Sequence, residues 1–128
     1  MKLRELSLLT GEPERQIRYM IAEGFVPPPE GGRANADYGE SHVAAIRRYS
    51  VLRSHGLPPQ AIKVLLAGGL SAPFAVAPGI ALHVDPELVG QVMDINALLN
   101  RISDVVSDVF KEHPHVPRKH AARERPRK

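Results

Sequence analysis

The stretch LRELSLLTGEPERQIRYMIAEGFV, residues 3–26, decides the fold. Its first eight residues place leucines at helical spacing, and Gly11 is typical of the position just past a helix C-terminus. Pro13 suits the start of a second helix, which would run to about residue 23 and end at Gly24. Two short helices joined by a tight turn that contains a glycine predict a helix-turn-helix.

The second predicted helix has one apolar side and a crowded polar surface. The buried side would consist of Ile17, Met20 and Ile21. The remaining surface carries four long hydrogen-bonding side chains: Arg15, Gln16, Arg18 and Tyr19. Arginine can bind guanine through two hydrogen bonds, glutamine can bind adenine in the same way, and arginine and tyrosine also bind phosphates. The residues alone leave a second interpretation open, in which the arginines pair with Glu14 or Glu23 on a solvated face.

Two further helices follow a segment that cannot be helical. Residues 25–38 contain three prolines and two glycines and predict a loop or irregular hairpin, in which Phe25-Val26 and the residues before Tyr38 could pair as short strands. The third helix is predicted over residues 40–55 and the fourth over residues 59–67. Their buried stripes would be Val43, Ile46, Tyr49 and Leu52, then Ile62, Leu65 and Leu66.

The C-terminal half contains an apolar segment and a long heptad pattern. Residues 70–85 are apolar with no clear period, so strand and extended chain both remain open. Residues 86–112 predict one long helix whose apolar seam would mediate dimerisation. The seam consists of Leu88, Ile95, Leu98, Ile102, Val105 and Val109, and Leu99 and Val106 widen it. The alternatives are a helix that folds back on residues 1–70 or breaks near Gly90.

Composition narrows the possible classes of protein. The 128 residues include no cysteine, which excludes disulfides and thiolate metal sites, and we predict no cofactor or metal site. Residues 1–70 carry a net charge of +2, residues 71–112 of −4 and residues 113–128 of +5. A basic front and tail are compatible with a polyanionic partner. We read no signal peptide at the N-terminus and no membrane span, so we expect a cytoplasmic protein.

The quoted stretch, continued by three prolines, strongly resembles the start of the MerR family of bacterial transcription regulators. That family has an opening helix, a Thr-Gly turn and a recognition helix bearing Arg-Tyr. The resemblance continues through Tyr38 and through HGLPPQAIKVLL, and it covers residues 2–67. It implies a mainly α chain with a winged helix-turn-helix at its N-terminus. The expected parts are that domain (1–70), an apolar connector (71–85), a coiled-coil dimerisation helix (86–112) and a disordered basic tail (113–128).

The resemblance makes the second helix the DNA-recognition helix. The predicted DNA contacts are Arg15, Gln16, Arg18, Tyr19, Arg33, Tyr38 and Lys63, with Arg15 and Gln16 nearest the bases. The sequence departs from the family pattern at several positions. Glu12 replaces a small apolar residue, Pro13 a Ser or Thr cap, and Met20 a second aromatic residue. The wing, residues 30–38, keeps only its final tyrosine, so wing contacts are the least transferable.

The implied function is transcription regulation by a homodimer bound to an inverted-repeat promoter site. Similar regulators bend and untwist promoter DNA with an overlong spacer, which makes RNA polymerase a further expected partner. The sequence identifies no effector. Two other functions remain open: a protein-interaction module of the same fold, such as a co-chaperone modulator, and an excisionase-like DNA-bending protein. No Gly-rich phosphate loop, HExxH or GxSxG motif occurs, so we do not expect an enzyme.

Overall fold

The computed structural model describes residues 1–32 and 34–111. The helices are α1 (Leu3–Thr10), α2 (Glu14–Ala22), α3 (Glu40–Ser54), α4 (Pro59–Gly68) and α5 (Ile95–Val109). Strands β1 (Ala72–Ala77) and β2 (Ile80–Val84) form one hairpin, and a 3₁₀ turn spans Pro86–Leu88. The chain divides into a first unit, Met1–Gln91, and a second that begins at Val92. The expected mainly α class is confirmed, and no helix in the described ranges is long and apolar enough to cross a membrane.

The first two helices form the predicted helix-turn-helix. Gly11 ends α1 with a left-handed φ of 79°, and its N–H donates a hydrogen bond to the Ser7 carbonyl at 2.9 Å. Pro13 is the N-cap of α2 and not its first residue, and no side chain caps this end. The predicted burial of Ile17 and Met20 is confirmed, since neither is accessible to solvent, and Ile21, predicted with them, is half-buried against the same core.

Helices α3 and α4 complete the core of the first unit. Every residue of the stripe predicted for α3 is buried: Val43, Ile46, Tyr49 and Leu52. On α4, Ile62 and Leu65 are buried and Leu66 is half-buried against the same core. Gly69 ends α4 in the left-handed conformation. The core therefore joins all four helices and fixes the orientation of α2, because α2 contributes two of its fully buried side chains.

The segment between α2 and α3 differs from the predicted strand pairing. Phe25 and Val26 are buried and donate their backbone N–H groups to the Met20 carbonyl, at 2.8 and 3.3 Å. The backbone pairing lies further out, in one bridge between Glu30 and Asp37. The prediction that Phe25-Val26 pair with the residues before Tyr38 is wrong, because these two residues close the C-terminal end of α2.

Most of residues 71–85, which the sequence presented as an apolar connector, form an antiparallel hairpin. Strands β1 and β2 pair from Ala72 opposite Val84 to Ala77 opposite Ile80, with a bulge between Ala75 and Ala77. Gly79, which follows Pro78, has φ of 80°, and a Pro-Gly pair with a positive φ at glycine suits a tight turn. The hairpin belongs to the first unit, whose boundary lies beyond it.

The prediction of one continuous helix over residues 86–112 is wrong. After the 3₁₀ turn the chain reaches Gly90, which has a left-handed φ of 82°. A Cβ atom at Gly90 would lie 3.1 Å from the Cβ of Arg47, so the chain runs very close to α3 here. The Arg48 Nε donates to the Pro86 carbonyl at 2.9 Å, and Val89 is buried in the core of the first unit. These contacts take the place of a first helical turn, and Leu88 is consequently not part of a helical seam.

Helix α5 has 15 residues and stands in the second unit. Asp94 caps it, since its carboxylate accepts a hydrogen bond from the Ala97 N–H at 3.1 Å. The remaining predicted seam residues, from Ile95 to Val109, all lie on this helix. No residue of α5 is buried. The basic tail predicted for residues 113–128 lies outside the described residues, as does Arg33.

Candidate nucleic-acid interface

The surface of α2 that faces away from the core carries the four predicted recognition residues. Arg15 and Arg18 are exposed, Gln16 is half-exposed and Tyr19 is 38% exposed. Within the described part of the chain, no hydrogen bond or ion pair engages the side chains of Arg15 or Gln16. Both therefore keep their hydrogen-bonding capacity for a ligand.

Arg18 is weakly paired with Glu14. Its Nη2 lies 3.5 Å from the Glu14 carboxylate, one helical turn away, and both side chains are well exposed. Exposed pairs of this kind contribute only about 0.3–0.5 kcal/mol. A phosphate oxygen could therefore replace the Glu14 carboxylate as the partner of Arg18 at little cost.

Tyr19 is part of an aromatic cluster that joins α2 to α3. Its ring centroid lies 6.4 Å from that of Phe25, which lies 4.5 Å from that of Tyr49. Burial raises the pKa of the Tyr49 phenol, and the nearby Tyr19 phenol adds to the rise. The pKa of Tyr49 is thus higher in the folded protein than in the unfolded chain, so ionisation of this phenol disfavours the folded state. The free energy of unfolding is therefore unaffected by Tyr49 below about pH 10 and falls at higher pH. The Tyr19 ring contacts the buried Phe25 ring on one side and remains 38% exposed on the other.

Lys63 does not present a free ammonium group. Its Nζ lies 2.7 Å from the Glu23 carboxylate and 5.8 Å from the centroid of the Phe25 ring. This pair links α4 to the residue after α2. Phosphate binding by Lys63 would require exchange of the Glu23 partner, and the sequence did not predict this contact between α4 and the end of α2.

Tyr38 is 8% exposed and packs edge-on against the His42 ring, at 5.2 Å between centroids. The small exposed part borders a groove of about 570 Å³ between α2 and the wing, which Arg18, Ile21 and Pro28 also line. Most of the Tyr38 ring belongs to the core. The geometry supports a packing role for the ring better than a DNA contact.

His42, whose role was not predicted from the sequence, connects the two segments that flank the wing. It is 3% exposed; its Nδ1 accepts from the Gly39 N–H at 2.9 Å, and its Nε2 lies 3.1 Å from the Pro28 carbonyl. A carbonyl only accepts hydrogen bonds, so the Nε2 side of the ring is the donor to Pro28 while Nδ1 accepts from Gly39. The three-residue spacing between Gly39 and His42 is that of a capping box and was the available signal.

Glu12 is the second residue whose role was missed. Its Oε2 accepts a hydrogen bond from the Ser50 Oγ at 2.7 Å, which ties the turn before α2 to α3. The Ser7 Oγ donates to the Glu12 carbonyl at 2.6 Å, and the Glu12 N–H donates to the Thr10 Oγ1 at 3.3 Å. The turn is therefore fixed on three sides, immediately before the residues that would approach DNA.

We expect Glu12→Ala to lower the free energy of unfolding by about 1–3 kcal/mol, since hydrogen bonds to charged groups in partly buried sites have this value. Ser50→Ala should lower it by a similar amount. The double variant should be little worse than either single one, because each change breaks the same bond. Urea unfolding of the four proteins measures the coupling, with Glu14→Ala as the control for loss of a carboxylate that makes only a long, solvent-accessible ion pair. Strictly additive losses would show that the two groups do not interact.

Comparison with known protein families assigns the first unit. Residues 1–69 match the family described as MerR HTH family regulatory protein, which is more than half of the chain. No curated protein and no solved structure matches the chain. The match spans α1 to α4, including the exposed polar surface of α2 and the turn that Glu12 joins to α3. This is a regulatory DNA-binding family and not an enzymatic one. The chain belongs to the MerR HTH family of regulatory proteins.

Proposed function

We propose that the protein is a sequence-specific transcription regulator that binds double-stranded DNA as a homodimer at an inverted-repeat promoter site. The observation that carries the proposal is at the start of α2. There Arg15 and Gln16 are accessible and unpaired within the described residues, in a helix-turn-helix of a DNA-binding family. Recognition helices enter the major groove and use their N-terminal residues on base edges.

The proposed contacts divide into base recognition and phosphate binding. Arg15 and Gln16 contact bases, while Arg18 and Tyr19 contact either bases or the backbone. Arg33, Tyr38 and Lys63 complete the proposed set. Tyr38 is mostly buried and Lys63 is ion-paired.

Dimerisation through α5 is the second part of the proposal. An isolated helix of 15 residues is marginal in water, and an amphipathic helix gains most of its stability from packing. Most apolar side chains of α5 are exposed on the single chain, and Ile102 is half-buried; a second copy would bury them. Two-fold symmetry of the dimer then requires a DNA site made of two inverted half-sites.

The family resemblance supports a mechanism in which the bound dimer distorts the promoter. Bending or untwisting DNA has an energy that depends on sequence, so it would add specificity beyond the base contacts of α2. RNA polymerase would be the partner that uses the distorted promoter. The protein would act in the cytoplasm, where bacterial promoters are found.

Recovery of bound genomic fragments tests the whole proposal. Purified protein is mixed with sheared DNA from its source at near-physiological salt, and the bound fragments are sequenced. Salt matters because binding through phosphates alone weakens steeply as its concentration rises. We expect a recurrent inverted repeat within promoters. Enrichment at recombination attachment sites would favour the excisionase-like function, and no enrichment would favour a protein-interaction module.

Substitution of Arg15 tests the assignment of α2. We expect Arg15→Ala to weaken binding to the recovered site by about 1–3 kcal/mol and to relax specificity at one base pair per half-site. Competition binding with single-base site variants measures both effects. Lys111→Ala is the matched control, since it removes one positive charge from an exposed residue outside the first unit. Equal losses from the two variants would mean that Arg15 contributes only charge.

A further inference from the structure

The hairpin formed by β1 and β2 has one apolar face. Cross-strand partners share a face, and neighbours along a strand alternate. The pairings of Ala72 with Val84, Phe74 with Leu82, and Ala77 with Ile80 therefore place these six apolar residues together. The opposite face carries Pro73, Ala75, Ala81 and His83, which are smaller or more polar and are all exposed.

The apolar face is buried at one end only. Ala72 belongs to the core of the first unit, and Phe74 and Val84 pack against that core. Towards the turn the same face emerges into solvent, where Leu82 and Ile80 are each 42% exposed. Residues 70–84 contain no Asp, Glu, Lys or Arg, although such residues make up 24% of the chain. Depletion of charge around an exposed apolar face is characteristic of the centre of a protein–protein interface.

Helix α5 has an apolar stripe wider than a two-helix contact uses. Ile95, Leu98, Ile102, Val105 and Val109 occupy the two seam columns of a heptad pattern. Leu99 and Val106 form a third column beside them and are 54% and 46% exposed. A two-stranded coiled coil uses two columns of seven, and a third is typical of a helix with an additional neighbour. Burial of Leu99 and Val106 therefore requires a second apolar surface in addition to the partner helix.

The size of α5 leads to the same conclusion. A helix of 15 residues is about 22 Å long and offers a partner helix a strip on the order of 300 Å². A stable protein–protein interface takes about 600–800 Å² from each partner. A dimer held by α5 alone would fall short of that area, and the exposed part of the hairpin face supplies additional apolar surface.

We infer that the hairpin is the second half of the dimer interface: the Ile80–Leu82 end of its apolar face packs on the Leu99–Val106 column of α5 from a second copy of the chain. This inference rests on the proposed homodimer. The hairpin is part of the DNA-binding unit, whereas α5 is not. A hairpin bound to the partner's α5 would fix the separation of the two α2 helices, and thereby the spacing of the half-sites that the dimer binds.

Crosslinking tests this contact directly, because the native chain contains no cysteine. Leu82→Cys protein carrying a mass tag is mixed with untagged Val106→Cys protein, subunits are exchanged, and a short bismaleimide is added. We expect a covalent heterodimer. His83→Cys with Val106→Cys is the matched control, since His83 is the neighbour of Leu82 on the opposite face. The control should give at least about tenfold less product.

The outcomes separate the inference from the proposed function. Sedimentation of the native protein reports the homodimer independently: a dimer without the specific crosslink overturns the inference alone, and a monomer overturns both. In a Leu82→Cys/Val106→Cys double variant at high dilution, an internal crosslink in a monomer would show that the chain's own α5 covers the hairpin, which also overturns the inference. Leu82→Lys should raise the dimer dissociation constant about tenfold or more, whereas His83→Lys should not change it. An unchanged constant in Leu82→Lys would contradict the contact.

Discussion

Replacing Phe25 with alanine is expected to lower the free energy of unfolding by about 3–5 kcal/mol, the usual cost of removing a buried aromatic side chain. Phe25 is almost fully buried and lies against three elements. Its ring packs at 4.5 Å from that of Tyr49 on α3 and at 6.4 Å from that of Tyr19 on α2. On α4, the Lys63 Nζ lies 5.8 Å from the Phe25 ring centroid. Alanine would remove all these contacts and leave a cavity, and domains of this size have only about 5–15 kcal/mol of stability.

Two further variants separate packing from recognition in the Phe25 experiment. Phe25→Leu should cost less, because it fills much of the volume and loses mainly the two aromatic pairs, about 0.5–1.5 kcal/mol each. That variant should stay folded, so its DNA affinity can be measured, and we expect a loss because Tyr19 is no longer held. Phe74→Ala, on the half-buried hairpin, is the control for loss of a phenyl ring. Urea unfolding that gave equal losses for Phe25→Ala and Phe74→Ala would contradict the central position of Phe25.

The helix-turn-helix could be predicted because its signals are local. Leucine spacing, a glycine at the left-handed position and an apolar stripe on α2 all lie within residues 3–26, and each corresponds to a feature of the structure. The stripes of α3 and α4 followed the same rule. The family match over residues 1–69 agrees with this part of the prediction.

The hairpin could not be predicted, because its sequence contains conflicting signals. Pro73 lies inside β1, and proline normally argues against a strand. In a sheet of two strands, both strands are edges, and proline is tolerated there. The side chains of β1 and β2 also include four alanines, which give little contrast between an apolar and a polar face.

The break before α5 depends on contacts that are distant in sequence. Residues 86–94 continue the heptad pattern only approximately, and the Val89 side chain is more favourable in the core of the first unit than on an exposed helix. The bond from Arg48 to the Pro86 carbonyl joins residues 38 apart. A prediction from hydrophobic periodicity takes account of neither the burial of Val89 nor the Arg48–Pro86 hydrogen bond. It therefore extended the helix too far towards the N-terminus.

In the candidate site, too, local features could be predicted from the sequence and contacts between distant residues could not. The exposure of Arg15 follows from its outward position away from the apolar side of α2, and the half-exposure of Gln16 follows from its position on the flank; the sequence predicted both. The contacts of Glu12 with Ser50 and of His42 with Pro28 join residues 38 and 14 apart, and no periodicity encodes them. The departure of Glu12 from the family pattern was the one sequence signal for the first of these contacts.

Replacing His42 with alanine is expected to lower the free energy of unfolding by about 2–4 kcal/mol. The change would leave the partly buried Gly39 N–H and Pro28 carbonyl without their partner, and each such loss costs about 1–3 kcal/mol. It would also remove the edge contact with Tyr38. Urea unfolding measures the loss, and faster hydrogen exchange at the Gly39 amide would locate it at the start of α3.

Two matched variants make the His42 prediction specific. In His42→Gln the side-chain oxygen can still accept from the Gly39 N–H, as glutamine does at this position of a capping box, so roughly half of the lost stability should return. His55→Ala removes an exposed histidine at the end of α3 and should cost no more than about 1 kcal/mol, mainly from its edge contact with Phe74. If His42→Ala cost no more than His55→Ala, the link between the two ends of the wing would contribute nothing to folding.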